Sequence, residues 1–363
     1  MNSAWKPDPS PSPVGWERIR ERTVAWWRRE GLVLWLTAPA DAPPVDLLDP
    51  PEPDSLERFW LDPVYRARKN ECRLARTYFG GEAFPFMETN IGPGNLATFI
   101  GSEPEFAPTT VWYKPCITDP ETHPPLRFDP ANRRFREQAA IIEECRRVSA
   151  GRFPIGMPDL IENVDIVASL RDTQTLMCDL VERPGWVKEM VQTVNLIYFQ
   201  VFDLLRGQIV DECGGNVFSA FCIWGPGRTA KLQCDASAMF SRRMFDEIVL
   251  PSLDAQCRWL EYSLYHLDGT QACHHMDSLL SITALDAIEW TPQAGIPGGG
   301  DPLWYDLYRR IKRGGKGVQA VGVKPEEVIP LLDAVGPEGM FIMCSAPDEA
   351  TARELEAQVE RYR

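Results

Sequence analysis

From about Arg152 onward, short apolar runs alternate with longer amphipathic ones to the end of the chain, and this alternation constrains the fold more than any other feature. The apolar runs read as strands over 153–157, 216–222, 231–234, 263–267, 287–290, 318–323 and 340–344. Between them lie helical stretches over 184–206, 245–262 (interrupted at Pro251), 276–282, 301–312, 324–334 and 348–362. The first of these shows its buried face plainly. Trp186, Met190, Val194, Ile197, Val201 and Leu205 recur at three- and four-residue steps. Alternation of this kind implies parallel strands joined by helical crossovers. With 84–88 as a further strand, the count fits an α/β fold of the (β/α)8 TIM-barrel type. A doubly wound open sheet is the alternative, and the GxGxxG that would favour it is absent.

The start of the chain is different. Ten of the 32 prolines fall in the first 53 residues. Proline lacks an N–H and resists helix and sheet interiors, so 1–14 and 38–55 are expected to be extended arms or surface loops. Between them, 16–29 reads as a helix and 32–36 as a strand. The expected organisation is a Pro- and Trp-rich extension over 1–80 packing on a barrel formed by 81–363. Such an arm suits covering either the base of the barrel or a neighbouring subunit in a homodimer.

The 363 residues carry 38 Lys+Arg against 52 Asp+Glu, a net charge of −14. An acidic surface repels phosphate backbones, which argues against nucleic acid and anionic membranes as partners and leaves a small-molecule substrate. The one basic run, 309–316, reads as the solvated end of a helix. The longest uncharged run, 213–227, is rich in glycine and falls short of the roughly 20 apolar residues a bilayer span needs. The N-terminus lacks the basic-then-apolar pattern of a signal peptide. Ten cysteines at irregular spacing, with no CxxC, point to reduced thiols in a cytoplasm.

In a barrel of this kind reactive residues sit at the C-terminal ends of strands. His266 and Asp268 close one strand, and their i, i+2 spacing turns both side chains to one face. Gly269 then allows a sharp turn. An imidazole beside a carboxylate can bind a metal or act as an oriented general-base pair. An ordinary structural His followed by an Asp cap is the competing reading. Cys344 closes the last strand, either as an inert packed thiol or as a thiolate ligand. Asp235 follows 231–234 and could bind a polar substrate group or cap a turn. Glu88, Asn90, Trp224, Tyr265 and Trp290, at or beside strand ends, are expected to wall the pocket, with core packing the alternative for the aromatic ones. Gly298-Gly299-Gly300-Asp301 reads as a βα loop rather than a phosphate cradle, because no GxxxxGK[ST] is present. His274 and His275 point about 100° apart on a helix and are expected to act only behind the site.

Several stretches, taken in order, resemble the uroporphyrinogen decarboxylase-like superfamily. They are 90–96 with Gly101-Ser102-Glu103, 165–171, 235–241 with 245–251, the turn His266-Leu267-Asp268-Gly269, and 307–317. The resemblance spans most of 80–363 and implies a (β/α)8 barrel with its cleft at the C-terminal mouth. One branch, the true porphyrinogen decarboxylases, carries an arginine-rich N-terminal loop that is not found here. The other branch, cobamide-dependent methyltransferases, holds Zn²⁺ with a His-x-Cys pair and a distant Cys, and the zinc activates a thiol to receive a methyl group. That implies His266 and Cys344 as ligands, with Asp268 standing where the family has its first cysteine. Carboxylate in place of thiolate makes the site harder and more Lewis-acidic. The corrinoid-binding pattern DxHxxG is absent, so a corrinoid would arrive on a partner protein or free. The expected function is methyl transfer between a corrinoid and a small thiol or hydroxyl, with His266, Asp268 and Asp235 catalytic. A metal-free decarboxylase or lyase, or a corrinoid- or tetrapyrrole-binding accessory protein, are the rival readings.

Overall fold

The computed structural model describes residues 15–44 and 47–363. The arm at 1–14, expected to be extended, lies outside the described residues. Twelve strands are present among them: β1 (Val33–Pro39), β2 (Thr77–Gly81), β3 (Glu103–Phe106), β4 (Val111–Lys114), β5 (Gly156–Met157), β6 (Asn216–Phe218), β7 (Ile223–Gly225), β8 (Thr229–Gln233), β9 (Tyr262–Asp268), β10 (Ala287–Thr291), β11 (Gly317–Val323) and β12 (Met340–Ser345).

The main sheet has seven strands in the order β2-β1-β12-β11-β10-β9-β8. Every neighbouring pair from β1 to β8 is parallel, and β2 is antiparallel on the β1 edge. A three-stranded sheet, β5-β6-β7, stands beside it. Met87 makes only an isolated parallel bridge to Ile155, where the sequence suggests a strand over 84–88. The two sheets meet through side chains. Asn216 takes the N–H of Thr229 on its Oδ1 and donates from Nδ2 to the Thr229 carbonyl. At the other edge Trp35 packs on Phe84 and Phe86. No sheet closes on itself among the described residues, so the architecture is a mixed α/β fold with a large, open, mostly parallel sheet.

The boundary expected at residue 80 does not match the sheet. β1 pairs along its length with β12, so residues from the supposed extension supply a central strand. The helix Trp16–Trp27 packs beneath, burying Ile19, Trp26 and Trp27. Each large apolar side chain buried in this way contributes roughly 1.5–3 kcal/mol. The helix Pro184–Ile209 begins at Pro184, where a missing N–H costs nothing, and buries Val187, Val191, Val194, Tyr198, Val201 and Leu205. The interruption expected near Pro251 takes the form of a π-turn at Phe245–Val249 that leads into the helix Leu250–Trp259. The wider turn accommodates the absent Pro251 donor.

In-register pairing sorts the side chains of the sheet into rows. One face carries Gln233, His266, Glu289, Gln319 and Phe341 side by side. The opposite face carries Leu232, Tyr265, Ile288, Val318 and Met340, all buried, with Leu267, Trp290, Ala320 and Ile342 in its next row. The second face is the helix-packing core. The first holds the polar residues.

Candidate active site

β9 presents His266 and Asp268 on the polar face, and Gly269, at φ +74°, turns the chain away. The strand neighbours of His266 are Gln233 and Glu289. His266 donates from Nδ1 to Glu289 Oε2. The other oxygen of Glu289 accepts from Thr291 Oγ1 at 2.6 Å. Glu289 is fully buried, so the imidazole is fixed in orientation and Nε2 is the ring nitrogen available to a ligand. The Phe221 ring lies 4.8 Å from the imidazole and covers one side of it.

Asp235 opens a short 3-10 turn directly after β8. Its N–H and that of Ala236 donate to Asp165 at 2.8 and 3.0 Å, and Gln233 Nε2 donates to Asp165 at 3.1 Å and to Asp235 at 2.8 Å. Asp165 sits in the first turn of the helix Asn163–Arg171 and anchors this corner. The result is convergence: Asp235, His266 and Asp268 each offer one ligand atom, and these atoms lie within 4.8 Å of one another.

A second polar layer supports the first. Lys231 is fully buried, sits 2.9 Å from Asp159 Oδ1 and donates to Gln233 Oε1. Glu162 accepts the Gln233 N–H at 2.7 Å. The loop bearing these acids holds Ile161 at φ +53° and Asn163 at φ +60°. Left-handed backbone at non-glycine residues costs about 1–3 kcal/mol each and gathers at functional sites.

The carboxylates outnumber the cations, and proton affinities reflect it. Burial, with Asp165 and Asp268 alongside, pushes the Asp235 carboxyl up to about 7, although His266 and Lys231 pull the other way. Burial pushes Glu162 up to about 8 against the pull of Lys231. For His266, burial opposes the charged form, but the hydrogen bond and charge of Glu289 outweigh it and leave the imidazole above its ordinary value.

The other residues singled out in the sequence lie elsewhere. Cys344 has the strand parity of Leu36 and Ile342, not of the His266 row, and it is not in the converging group. Its thiol is buried and lies toward Glu326 and Glu327, and burial raises its pKa to about 12. Tyr265 and Trp290 occupy the helix-packing face, with Trp290 against Trp304 at 4.9 Å. Trp224 is buried, donates to Asp211 and packs on Trp16 of the N-terminal helix. Parity and burial for Tyr265 and Trp290, and burial for Trp224, place these aromatic residues in the core rather than the pocket. Glu88 and Asn90 lie in the segment after residue 84. Asn70 holds the backbone of Glu88 from both sides at 2.8 and 2.9 Å, and Asn90 accepts the Asp159 N–H at 3.3 Å. His274 and His275 bond the carbonyls of Phe240 and Ser237, both at 2.9 Å, and so brace the loop behind Asp235. The triple glycine is a packing device: a Cβ at Gly299 would lie 2.3 Å from the Val321 carbonyl oxygen.

Sequence reasoning missed Glu289, Gln233, Lys231 and Asp165. Glu289 had a signal: a lone acid inside the apolar run Ala287-Ile288-Glu289-Trp290. Lys231 and Gln233 had one too, as polar residues two apart within a short strand.

No protein-family model matches the sequence. No curated protein sequence matches it. Among solved structures, the fold is similar to that of a methyltransferase from Methanosarcina mazei, with a TM-score of 0.60 over 94% of this chain and 97% of that one. The two sequences are 10% identical, so the likeness is one of fold.

Proposed function

We propose that this chain is a methyltransferase of the uroporphyrinogen decarboxylase-like kind that moves a methyl group between a corrinoid and a small thiol or hydroxyl acceptor. In this reading the two sheets are parts of one eight-stranded barrel, the corrinoid arrives on a partner protein, and the enzyme works in the cytoplasm. The observation that carries it is the convergence of Asp235, His266 and Asp268, with Glu289 behind the imidazole.

One imidazole and two carboxylates suit a divalent cation such as Zn²⁺, and a carboxylate on the far ring nitrogen is the usual support for a metal-binding histidine. Asp235, His266 and Asp268 would hold the ion, and a divalent charge relieves the crowding of carboxylates there. Bound there, Zn²⁺ lowers the pKa of the acceptor's thiol or hydroxyl. The chain's own residues do the rest. Glu289 sets the ring plane of His266. Asp165 and Gln233 set Asp235. Phe221 keeps water from one side of the imidazole. The acceptor would give its proton to solvent water, its sulfur or oxygen would take the methyl group, and the corrinoid, as methyl donor, would keep the electron pair of the bond that breaks.

The test is metal analysis of purified protein with and without His266→Ala, run beside methyl transfer from methylcobalamin to 2-mercaptoethanol. Stoichiometric zinc and thioether formation, both lost in the variant, support the proposal. Stoichiometric zinc that survives the substitution contradicts it.

A second reading rests on the raised Asp235 carboxyl. A carboxylic acid that keeps its proton near neutrality, beside an imidazole, suits a metal-free lyase in which Asp235 donates the proton and His266 shuttles it. Full turnover of a decarboxylation by metal-free protein would select this reading.

A further inference from the structure

Beside the carboxylate-rich corner, the same end of the sheet holds a second feature that the mechanism above does not use. A cavity of about 510 Å³ opens over the ends of β1, β11 and β12. Its walls include Trp35, Ala220, Phe221 and Met343. Ligand pockets commonly enclose about 300–1,000 Å³, are mainly apolar and carry few polar groups. The polar atoms of this one are largely engaged. Thr37 and Ser345 pair their hydroxyls at 3.2 Å, and Lys324 Nζ lies 3.6 Å from Glu327. Among the described residues, no carboxylate lines the cavity. Phe221 belongs to both places, since its ring also lies 4.8 Å from the imidazole of His266. Its backbone is pinned as well, by Gln319 Nε2 donating to the Phe221 carbonyl at 2.9 Å.

We infer that this cavity seats the body of the acceptor, an uncharged aromatic alcohol or thiol of one or two rings, with its reacting group directed past Phe221 toward His266. The inference rests on the reading of Asp235, His266 and Asp268 as the acceptor-activating centre, and it adds the chemical class. Flat aromatic walls from Trp35 and Phe221 suit a ring by offset or edge contact. The sulfur of Met343 adds a polarizable neighbour. An anionic acceptor is disfavoured. Lys324, the cation among the described residues that line the cavity, is already shared with Glu327, and the corner beyond Phe221 carries Asp235, Asp268 and Glu289. Phe221 is then a specificity-determining residue, the partition between ring pocket and reactive corner.

The experiment is calorimetric titration of the purified full chain, in metal-loaded and metal-free forms, with 2-naphthol as the probe and 3-mercaptopropionate as the anionic control. Wild type is expected to bind 2-naphthol saturably and in a single site, and 3-mercaptopropionate at least about tenfold more weakly, as an apolar, uncharged pocket requires. Ala220→Phe fills the cavity from an exposed position on its wall and is expected to weaken 2-naphthol at least about tenfold while bound zinc stays unchanged. Ser345→Leu, placed at the rim, gives a second filling variant should the first fold poorly. Undiminished 2-naphthol binding in both folded variants, tighter binding of the anion, or no binding to wild type would each overturn the assignment. Because the readout is binding with and without zinc, the cavity can fail while the metal centre stands. Equally, loss of zinc by His266→Ala with 2-naphthol binding intact is expected, and it separates the two claims.

Discussion

Two halves of one sheet face do opposite things with the same geometry. Over β8, β9 and β10 the row reads Gln233, His266, Glu289, and the positions beyond are Asp235, Asp268 and Thr291. Over β12 and β1 the equivalent positions are Phe341 and Val33, then Met343 and Trp35. Both halves sit at the ends of parallel strands, yet one is a lattice of ionisable groups and the other an apolar bowl. The fold supplies the location, and the identity of the inward residues on each strand decides the chemistry. The polar half is the costlier to build. Its buried cation, Lys231, exists only because Asp159, Glu162 and Gln233 surround it.

Breaking that support should produce the largest effect. Lys231→Met strands Asp159 and its neighbours without a counter-charge and is expected to cost about 3–5 kcal/mol, read from urea unfolding midpoints. An equal stability for the variant would mean that the buried pair is not what holds the polar half together. Next, His266→Ala or Asp235→Asn should lower zinc affinity by about a hundredfold or more, measured by chelator competition. Cys344→Ser, on the other face, should leave it unchanged, and a large loss there would restore the thiol to the centre. Glu289→Gln should weaken zinc by about 10–100-fold, as loss of an outer carboxylate does.

A smaller effect is expected from pH on metal-free protein. Glu162 has an ordinary pKa of 4.5 and one of about 8 in the folded chain, so the native state keeps the proton longer than the unfolded state. Stability is therefore greatest at low pH with respect to this group. It falls as pH rises from near 4.5 and levels off above about 8, by on the order of a few kcal/mol. Glu162→Gln mimics the protonated form and should flatten that decline between pH 5.5 and 8.5 in the same unfolding assay. The smallest effect belongs to the helix-packing face: Tyr265→Phe should change zinc affinity by less than about twofold, since alternation turns its ring away from His266 and its hydroxyl lies toward Ser237, behind Asp235. A tenfold change would show that the two faces are coupled.

Much of this layout was legible in the sequence, and the failures share a cause. The alternating pattern located β8 to β12, because buried parallel strands are short apolar runs bounded by amphipathic helices. His266 and Asp268 were legible as a pair because i, i+2 spacing survives any choice of register. The same rule, carried through, assigns Tyr265 to the face opposite His266 and separates Glu289 from Trp290 on their own strand. Register between strands is what one strand's sequence does not contain, so the partnership of Glu289 with His266 had no local signal beyond a lone acid. Cys344 needed the same information: one residue of parity separates it from Met343, and that residue decides which face it occupies. Asp159, in a loop, and Asp165, in the helix turn that follows it, were invisible as partners because the path between them depends on left-handed residues at Ile161 and Asn163 that no glycine announces.

The pairing of β1 with β12 joins segments 308 positions apart, as at Thr37 and Ser345. During synthesis, β1 can pair early with β2 along one edge, while its other edge waits for β12 before those backbone donors and acceptors find their permanent neighbour. Until then its apolar side chains, Leu34 and Leu36 among them, are open to misassociation on the growing chain. Completion of the main sheet is therefore a late event that leaves one edge of β1 exposed for a long interval, and its yield in the cell should depend on chaperones that shield early β-segments.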